Sequence, residues 1–74
     1  MGKWIEFHEM KPAPKTKRWE VVTKEGSYYL GTIGWFGGWR KYSFFPGAGT
    51  VFEQECLRDI AAFCEEQTKQ RKKI

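Results

Sequence analysis

Residues 34–46 read GWFGGWRKYSFFP, a stretch in which two Trp, three Phe and one Tyr stand within thirteen positions. Gly37 and Gly38 are typical of a two-residue hairpin loop, because glycine readily adopts the positive φ that such turns require. The ring-rich segments on both sides are typical of strands, and Pro46 ends the second one. The stretch therefore predicts two antiparallel strands joined by a tight turn.

A loop formed by Gly37 and Gly38 also predicts which residues face each other across the hairpin. The predicted pairs are Phe36 with Trp39, Trp35 with Arg40, Ile33 with Tyr42, and Gly31 with Phe44. Because side chains alternate along a strand, the hairpin has two distinct faces. The first predicted face carries Tyr29, Ile33, Trp35, Tyr42 and Phe44. The second carries Leu30, Thr32, Gly34, Phe36, Trp39, Lys41, Ser43 and Phe45.

The preceding segment RWEVVTK, residues 18–24, contains β-branched residues and predicts another strand. The turn after it leaves two registers open. A three-residue EGS loop places Trp19 and Val21 beside Ile33 on the first face. A two-residue EG loop places them on the second face, because a slip of one residue reverses every side chain. We favour the three-residue loop, since it collects the apolar residues on one face.

The N-terminal residues 1–17 combine a weakly alternating segment, KWIEFHEM, with a basic segment, KPAPKTK. The first predicts an edge strand. The second predicts an extended basic linker rich in Pro and Lys, because proline disrupts both helices and strand ladders. The antiparallel sheet is then expected over residues 18–46.

A helix is predicted over residues 50–68, followed by a basic tail at residues 69–74. Thr50 and Glu53 have the spacing of a capping box, in which each side chain bonds to the other residue's free backbone N–H. Apolar residues recur at helical spacing and predict a buried stripe. The stripe comprises Phe52, Cys56, Leu57, Ile60, Ala61, Phe63 and Cys64.

Together these segments predict a single domain of the α+β class over residues 1–74. We expect a three- or four-stranded antiparallel meander packed on one C-terminal helix, with the order β(β)ββα in two layers. The second face of the sheet is left with Phe36, Trp39 and Phe45. The core under the helix is expected to contain Ile33, Trp35, Tyr42 and Phe44.

Charge and cysteine content bear on the class of partner and the compartment. The net charge is +4, and residues 1–50 carry eight Lys or Arg against four Glu. This favours an anionic partner, although ordinary solubility charge explains it equally well. Cys56 and Cys64 would lie about 12 Å apart on the helix, too far for a disulfide. Reduced thiols indicate the cytoplasm, and no apolar segment is long enough to indicate a membrane partner.

The sequence contains no pattern typical of catalysis or metal binding. His8 is the one histidine and stands on a predicted edge strand without a second base. Cys56 and Cys64 belong to the apolar stripe, and no Cys-x-x-Cys or clustered His accompanies them. The expectation is a protein that is not an enzyme and has no catalytic residues, no metal and no cofactor.

The rings on the second face are the candidate site. Rings stack on bases and cations contact phosphates, which favours a base-containing anion, either nucleic acid or a nucleotide. One alternative is a protein–protein interaction module or inhibitor that uses the same face, as a homodimer or with another protein. Another is that Trp4, Ile5 and Phe7 cover this face as a second small core. The predicted ligand-binding residues are Lys17, Arg18, Phe36, Trp39, Arg40, Lys41 and Phe45.

Residues 18–64 resemble short uncharacterised proteins from bacterial, prophage and phage genomes. Those proteins carry a Leu-Gly-x-Ile-x-Trp-(Tyr/Phe)-x-x-Trp-Arg-x-Tyr-x-Phe segment, followed by a helix with Thr-x-Phe and Cys-Leu-x-Asp-Ile. The resemblance implies a free-standing small protein linked to phages and, as the family has no assigned activity, no mechanism. The matching residues are Leu30, Gly31, Ile33, Trp35, Phe36, Trp39, Arg40, Tyr42 and Phe44, then Thr50, Phe52, Cys56, Leu57, Asp59 and Ile60.

Overall fold

Four strands and one helix make up the computed structural model of the chain, which describes residues 4–11, 15–25 and 28–72. The strands form one antiparallel sheet in the order β1-β2-β3-β4, and α1 packs on one face of it. The predicted α+β fold is confirmed, with four strands. The elements are β1 (Ile5–Glu9), β2 (Trp19–Thr23), β3 (Tyr29–Phe36), β4 (Lys41–Pro46) and α1 (Gln54–Lys72).

The β3–β4 hairpin has a four-residue loop at residues 37–40, so the predicted pairing is wrong by two positions. Phe36 lies opposite Lys41. The backbone N–H of Arg40 donates to the carbonyl oxygen of Phe36 at 2.8 Å, and Arg40 has a φ of 56°. The Phe36 ring folds over Gly38, where an added Cβ would come within 2.8 Å of it. A shift of two positions does not reverse the faces, so Ile33, Trp35, Phe36, Tyr42, Phe44 and Phe45 stay on the faces predicted for them.

β2 and β3 pair in the register that a three-residue loop predicts. Trp19 lies opposite Ile33 and Val21 opposite Gly31, and all four are buried. Gly31 leaves room for the ring of Phe44, because a Cβ there would come within 2.6 Å of Phe44 Cε1. Both strands thereby place their apolar residues under α1.

A β-bulge interrupts this pairing near the start of β3 and exchanges two side chains between the faces. Beyond Val21 the register shifts by one residue, so that Val22 lies opposite Tyr29. Leu30 consequently packs against the core, and the Tyr29 hydroxyl lies 2.6 Å from Thr32 Oγ1 on the other face. The predicted faces of Tyr29 and Leu30 are therefore wrong.

β1 extends the sheet beside β2 and does not cover the second face. Ile5 is only 2% exposed and belongs to the core under α1. The ring of Phe7 stacks on that of Phe63 in α1, with centroids 4.1 Å apart. The indole Nε1 of Trp4 donates to the carboxylate of Glu55 at 3.0 Å. The alternative in which this segment forms a second core over the opposite face is therefore wrong.

α1 begins later than predicted, because the turn before it has its own hydrogen bonds. The Thr50 hydroxyl donates to the carbonyl oxygen of Gly47 at 2.8 Å. The Glu53 carboxylate accepts the backbone N–H of Cys56 and caps the helix. The capping box predicted at Thr50 is therefore wrong. Most of the predicted tail is helical, and residues 73–74 lie outside the described part of the chain.

The buried stripe of α1 is narrower than predicted. Leu57 and Ala61 are exposed, whereas Ile60 and Thr68 are buried. The described residues contain no helix with the length and apolarity needed to cross a membrane. The buried hydrophobic cluster comprises Ile5, Trp19, Val21, Ile33, Tyr42 and Ile60. Partly buried residues packed against it include Phe7, Leu30, Trp35, Phe44, Phe52, Cys56, Phe63 and Cys64.

Candidate ligand-binding face

Three exposed rings form a cluster on the side of the sheet opposite α1. We call this surface the ring face and define it by Phe36, Trp39 and Phe45. The ring centroids of Phe36 and Trp39 are 5.3 Å apart, and those of Phe36 and Phe45 are 6.3 Å apart, both in edge-to-face geometry. The exposed fractions of the three residues are 39%, 71% and 44% in that order. The rings contact one another and still leave apolar surface accessible to a ligand.

The hairpin brings these rings together from separate positions in the sequence. Phe36 ends β3, Trp39 lies in the loop, and Phe45 lies in β4 opposite Thr32. Gly34 lies between Thr32 and Phe36 along β3 and contributes no side chain to the face. The edge-to-face contacts are the geometry that aromatic pairs prefer, so the cluster has a defined shape.

Arg18 lies across Gly34 and beside Phe45. A Cβ built on Gly34 would lie 3.7 Å from Arg18 Cγ and 3.9 Å from Phe45 Cε1. These residues line a shallow depression of about 260 Å³ together with Thr32 and Trp35. Within the described part of the chain, no ion pair involves Arg18. The guanidinium is therefore available to an anionic group next to an exposed ring.

The other predicted cations divide between the two faces. Lys41 lies opposite Phe36 in the sheet and also lines a depression against α1 with Cys64 and Thr68, and Arg40 is exposed in the adjoining loop. Lys17 lines a different depression, on the helix side of the sheet with Arg71. Adjacent residues of an extended segment point to opposite faces, which explains why Lys17 does not join the ring face.

A hydroxyl group that the sequence did not predict, that of Tyr29, joins Thr32 on the ring-face side. The Tyr29 hydroxyl and the Thr32 hydroxyl lie 2.6 Å apart, and Thr32 is the partner of Phe45 in the sheet. Tyr29 reaches this side because of the β-bulge, for which the sequence carries no clear signal. Of the two residues, Thr32 lines the depression beside Arg18.

The charge on this side of the sheet is uneven. Glu20 lies opposite Thr32, and the Glu6 carboxylate lies 2.9 Å from His8 Nε2. These acidic residues belong to β1 and β2. Arg18 lies beside Phe45, and Lys41 begins β4 opposite Phe36, so both cations stand toward the hairpin loop. An anionic ligand is therefore expected at the hairpin end of the face.

The described residues offer neither a metal site nor an activated thiol. Among them, no group of three His, Cys, Asp or Glu side chains is placed to hold an ion. Burial raises the pKa of the Cys64 thiol to about 11. Burial, reinforced by the Glu53 carboxylate, also raises the pKa of Cys56. Both thiols stay protonated near neutral pH, so they are weak nucleophiles.

Comparison with known proteins shows similarity to a phage protein of similar length. The chain is 34% identical over 70 residues to the "Uncharacterized 9.3 kDa protein" of Acholeplasma phage L2. The match covers 93% of this chain and 90% of that protein. No family model matches the sequence, and no solved structure matches it. The resemblance to small phage proteins is confirmed.

Proposed function

The chain belongs to a family of small phage proteins, and we propose that it is a non-enzymatic protein that binds single-stranded nucleic acid or a nucleotide through the ring face. The observation that supports this proposal is the exposed cluster of Phe36, Trp39 and Phe45 beside Arg18. A planar base complements the rings, and a phosphate complements the guanidinium.

Stacking on the ring face requires bases whose flat sides are accessible. Each base stacked on an aromatic side chain contributes about 1–3 kcal/mol to binding. In a duplex the bases stack on each other and present only their edges in the grooves. Trp39 is the most exposed of the three rings and offers the largest flat surface. The face therefore favours single strands or free nucleotides over duplex DNA.

Phosphate contacts make the proposed binding sensitive to salt. Arg18 lies beside Phe45, and Lys41 lies opposite Phe36 at the edge of the sheet. Each phosphate contact contributes a slope of about −0.7 to log affinity against log salt for single strands. Glu20 lies on the same side of the sheet and offsets part of this charge. We therefore expect modest affinity with a shallow but measurable salt dependence.

Fluorescence anisotropy with a labelled oligothymidylate tests the proposal. Trp39→Ala removes the most exposed ring, and we expect roughly a tenfold loss of affinity. Tyr28→Ala is the matched control, because Tyr28 is 70% exposed and lies outside the ring face. Far-UV circular dichroism of both variants checks that the fold is retained.

The proposal fails if Trp39→Ala and Tyr28→Ala bind the oligonucleotide equally well. Its electrostatic part fails separately if affinity is the same at about 50 and about 300 mM salt. Phosphate contacts release counterions from the nucleic acid, and this release is less favourable at higher salt. Arg18→Gln should reduce the slope of log affinity against log salt by the contribution of about one phosphate contact, and it should leave base stacking intact.

A protein–protein contact through the same rings is the second candidate function. It is favoured by the 71% exposure of Trp39 within an apolar cluster, since such patches often mark interfaces. In a homodimer, sedimentation equilibrium should give twice the chain mass, and Trp39→Ala should return the monomer. A wild-type monomer at millimolar concentration excludes the homodimer.

We also propose the cytoplasm as the site of action. Cys56 and Cys64 are both free thiols, and free thiols persist in reducing compartments. Mass spectrometry after thiol labelling in freshly lysed cells checks this: two labels per chain are expected, and an intermolecular disulfide contradicts it.

A further inference from the structure

A second basic depression lies on the helix side of the sheet, away from the ring face. It has a volume of about 230 Å³ and lies between the segment that precedes β2 and the last two turns of α1. We call it the basic cleft. Seven residues line it. Three carry positive charge, Lys15, Lys17 and Arg71, and none is acidic. The other four are Thr16, Tyr42, Gln67 and Gln70.

No acidic side chain lines the cleft beside its three cations. No ion pair to Lys15, Lys17 or Arg71 is present among the residues that the structure describes. The carboxylate of Glu66 accepts a hydrogen bond from Gln70 Nε2 at 3.1 Å. Like charges in one depression repel one another, and a bound anion relieves that repulsion.

Arg71 is held in position by a ring. Its Cζ lies 4.3 Å from the centroid of the Trp35 ring, a cation–π contact. Contact through the flat side of the guanidinium leaves N–H groups at its edge free to donate to an anion. A cation that is already ordered loses less conformational entropy on binding.

The end of α1 opposes an anion only weakly. The C-terminus of a helix carries about half a negative charge, which is smaller than the charge of the three side chains.

We propose that the basic cleft binds a phosphate group, supplied by a polyphosphate or by the phosphodiester backbone of a nucleic acid. Thr16 and Gln67 supply further donors to the phosphate oxygens, and Gln70 has one amide N–H besides the one that bonds to Glu66.

The basic cleft and the ring face meet at one end of the sheet. Lys17 lines the cleft, whereas its neighbour Arg18 lines the depression beside Phe45. A single strand that leaves the ring face can therefore continue around this end into the cleft. This continuity depends on the proposed function, but the phosphate site itself does not.

A titration with sodium tripolyphosphate, followed by ¹H–¹⁵N NMR at constant ionic strength, tests the phosphate site. Tripolyphosphate has no ring to stack, so Trp39→Ala should leave its affinity unchanged. We expect saturable shifts of the Thr16 and Gln70 amides and of the Trp35 indole N–H. Arg71→Gln should weaken binding roughly tenfold, as expected for loss of a charge-assisted hydrogen bond. Arg58→Gln, thirteen positions or about 20 Å away along α1, is the charge-matched control.

Each result has one interpretation. Absent or non-saturable shifts, or equal weakening by Arg71→Gln and Arg58→Gln, overturn the phosphate site. If oligothymidylate displaces tripolyphosphate, the phosphodiester backbone is the source of the phosphate; if it does not, the cleft takes free polyphosphate. The two proposals can also be separated. If tripolyphosphate binds as expected but Trp39→Ala does not change oligonucleotide binding, the phosphate site is supported and the ring face is excluded as the nucleic-acid site.

Discussion

The hydroxyl of Thr68 in α1 accepts a 3.0 Å hydrogen bond from the backbone N–H of Tyr42 in β4. The same hydroxyl donates to the carbonyl oxygen of Cys64 at 2.9 Å. β4 is an edge strand, and unpaired backbone groups on such strands invite association with other chains. α1 therefore covers part of this edge as well as one face of the sheet.

Thr68→Val should lower the free energy of unfolding by about 1–3 kcal/mol, because the buried N–H of Tyr42 loses its acceptor. Thr68→Ser keeps the hydroxyl and removes only a methyl group, so its effect should be smaller, about 1 kcal/mol. Urea denaturation of both variants measures the difference. Equal destabilisation by valine and serine would show that packing, rather than this hydrogen bond, matters at position 68.

Gly31→Ala should destabilise the protein by about 1–3 kcal/mol, because the core has no room for the added methyl group. The new Cβ would lie 2.6 Å from both Phe44 Cε1 and the carbonyl oxygen of Phe45. Gly37→Ala is the control, since a Cβ there meets nothing within 4 Å. The midpoint of thermal unfolding should be well below that of Gly37→Ala for the Gly31→Ala variant. The reverse order would mean that β4 shifts freely to accept the methyl group.

Arg40 adopts a positive φ of 56°, which costs a residue with a Cβ about 1–2 kcal/mol. Arg40→Gly removes this cost, whereas Arg40→Ala keeps it, and both remove the same charge. Because glycine also adds freedom to the unfolded chain, the glycine variant should be more stable by roughly 0.5–1 kcal/mol. Urea midpoints compare the two variants. Identical midpoints would indicate that the loop relaxes to negative φ.

Cys64 should react slowly with iodoacetamide in the folded protein. Burial raises its pKa from 9.0 to about 11, so little thiolate is present at pH 8. In a Cys56→Ser background, the alkylation rate should rise with pH up to about 11, whereas the urea-unfolded chain should titrate near its ordinary value. A folded-state rate that levels off near pH 9 would contradict the shift.

The same shift makes a pH-dependent contribution to stability. The raised pKa means that, between pH 9 and about 11, the folded state holds the Cys64 proton more tightly than the unfolded state. The contribution is complete below pH 9 and is lost as the pH rises through about 11. Cys64 is half-buried, so solvent screening reduces the effect. Between these pH values the free energy of unfolding of the wild type should fall by about 1 kcal/mol more than that of Cys64→Ala.

The sequence predicted the fold because alternation and helical spacing are strong signals when apolar residues supply them. The ring face also followed from alternation, since the wider hairpin loop shifted the pairing by two positions and kept Phe36 and Phe45 on one side. The exchange of Tyr29 and Leu30 was not predictable, because a β-bulge depends on tertiary packing. Similarly, only the fold shows that Lys17 lies across the sheet from the ring face.

The stacking of Phe7 on Phe63 links β1 to α1, the two described elements farthest apart in the sequence. During synthesis, the strands emerge from the ribosome before the helix that must cover them. The apolar face of the sheet, including Ile5, therefore stays exposed to water until residue 63 has left the exit tunnel. During this period the nascent chain is accessible to chaperones and proteases.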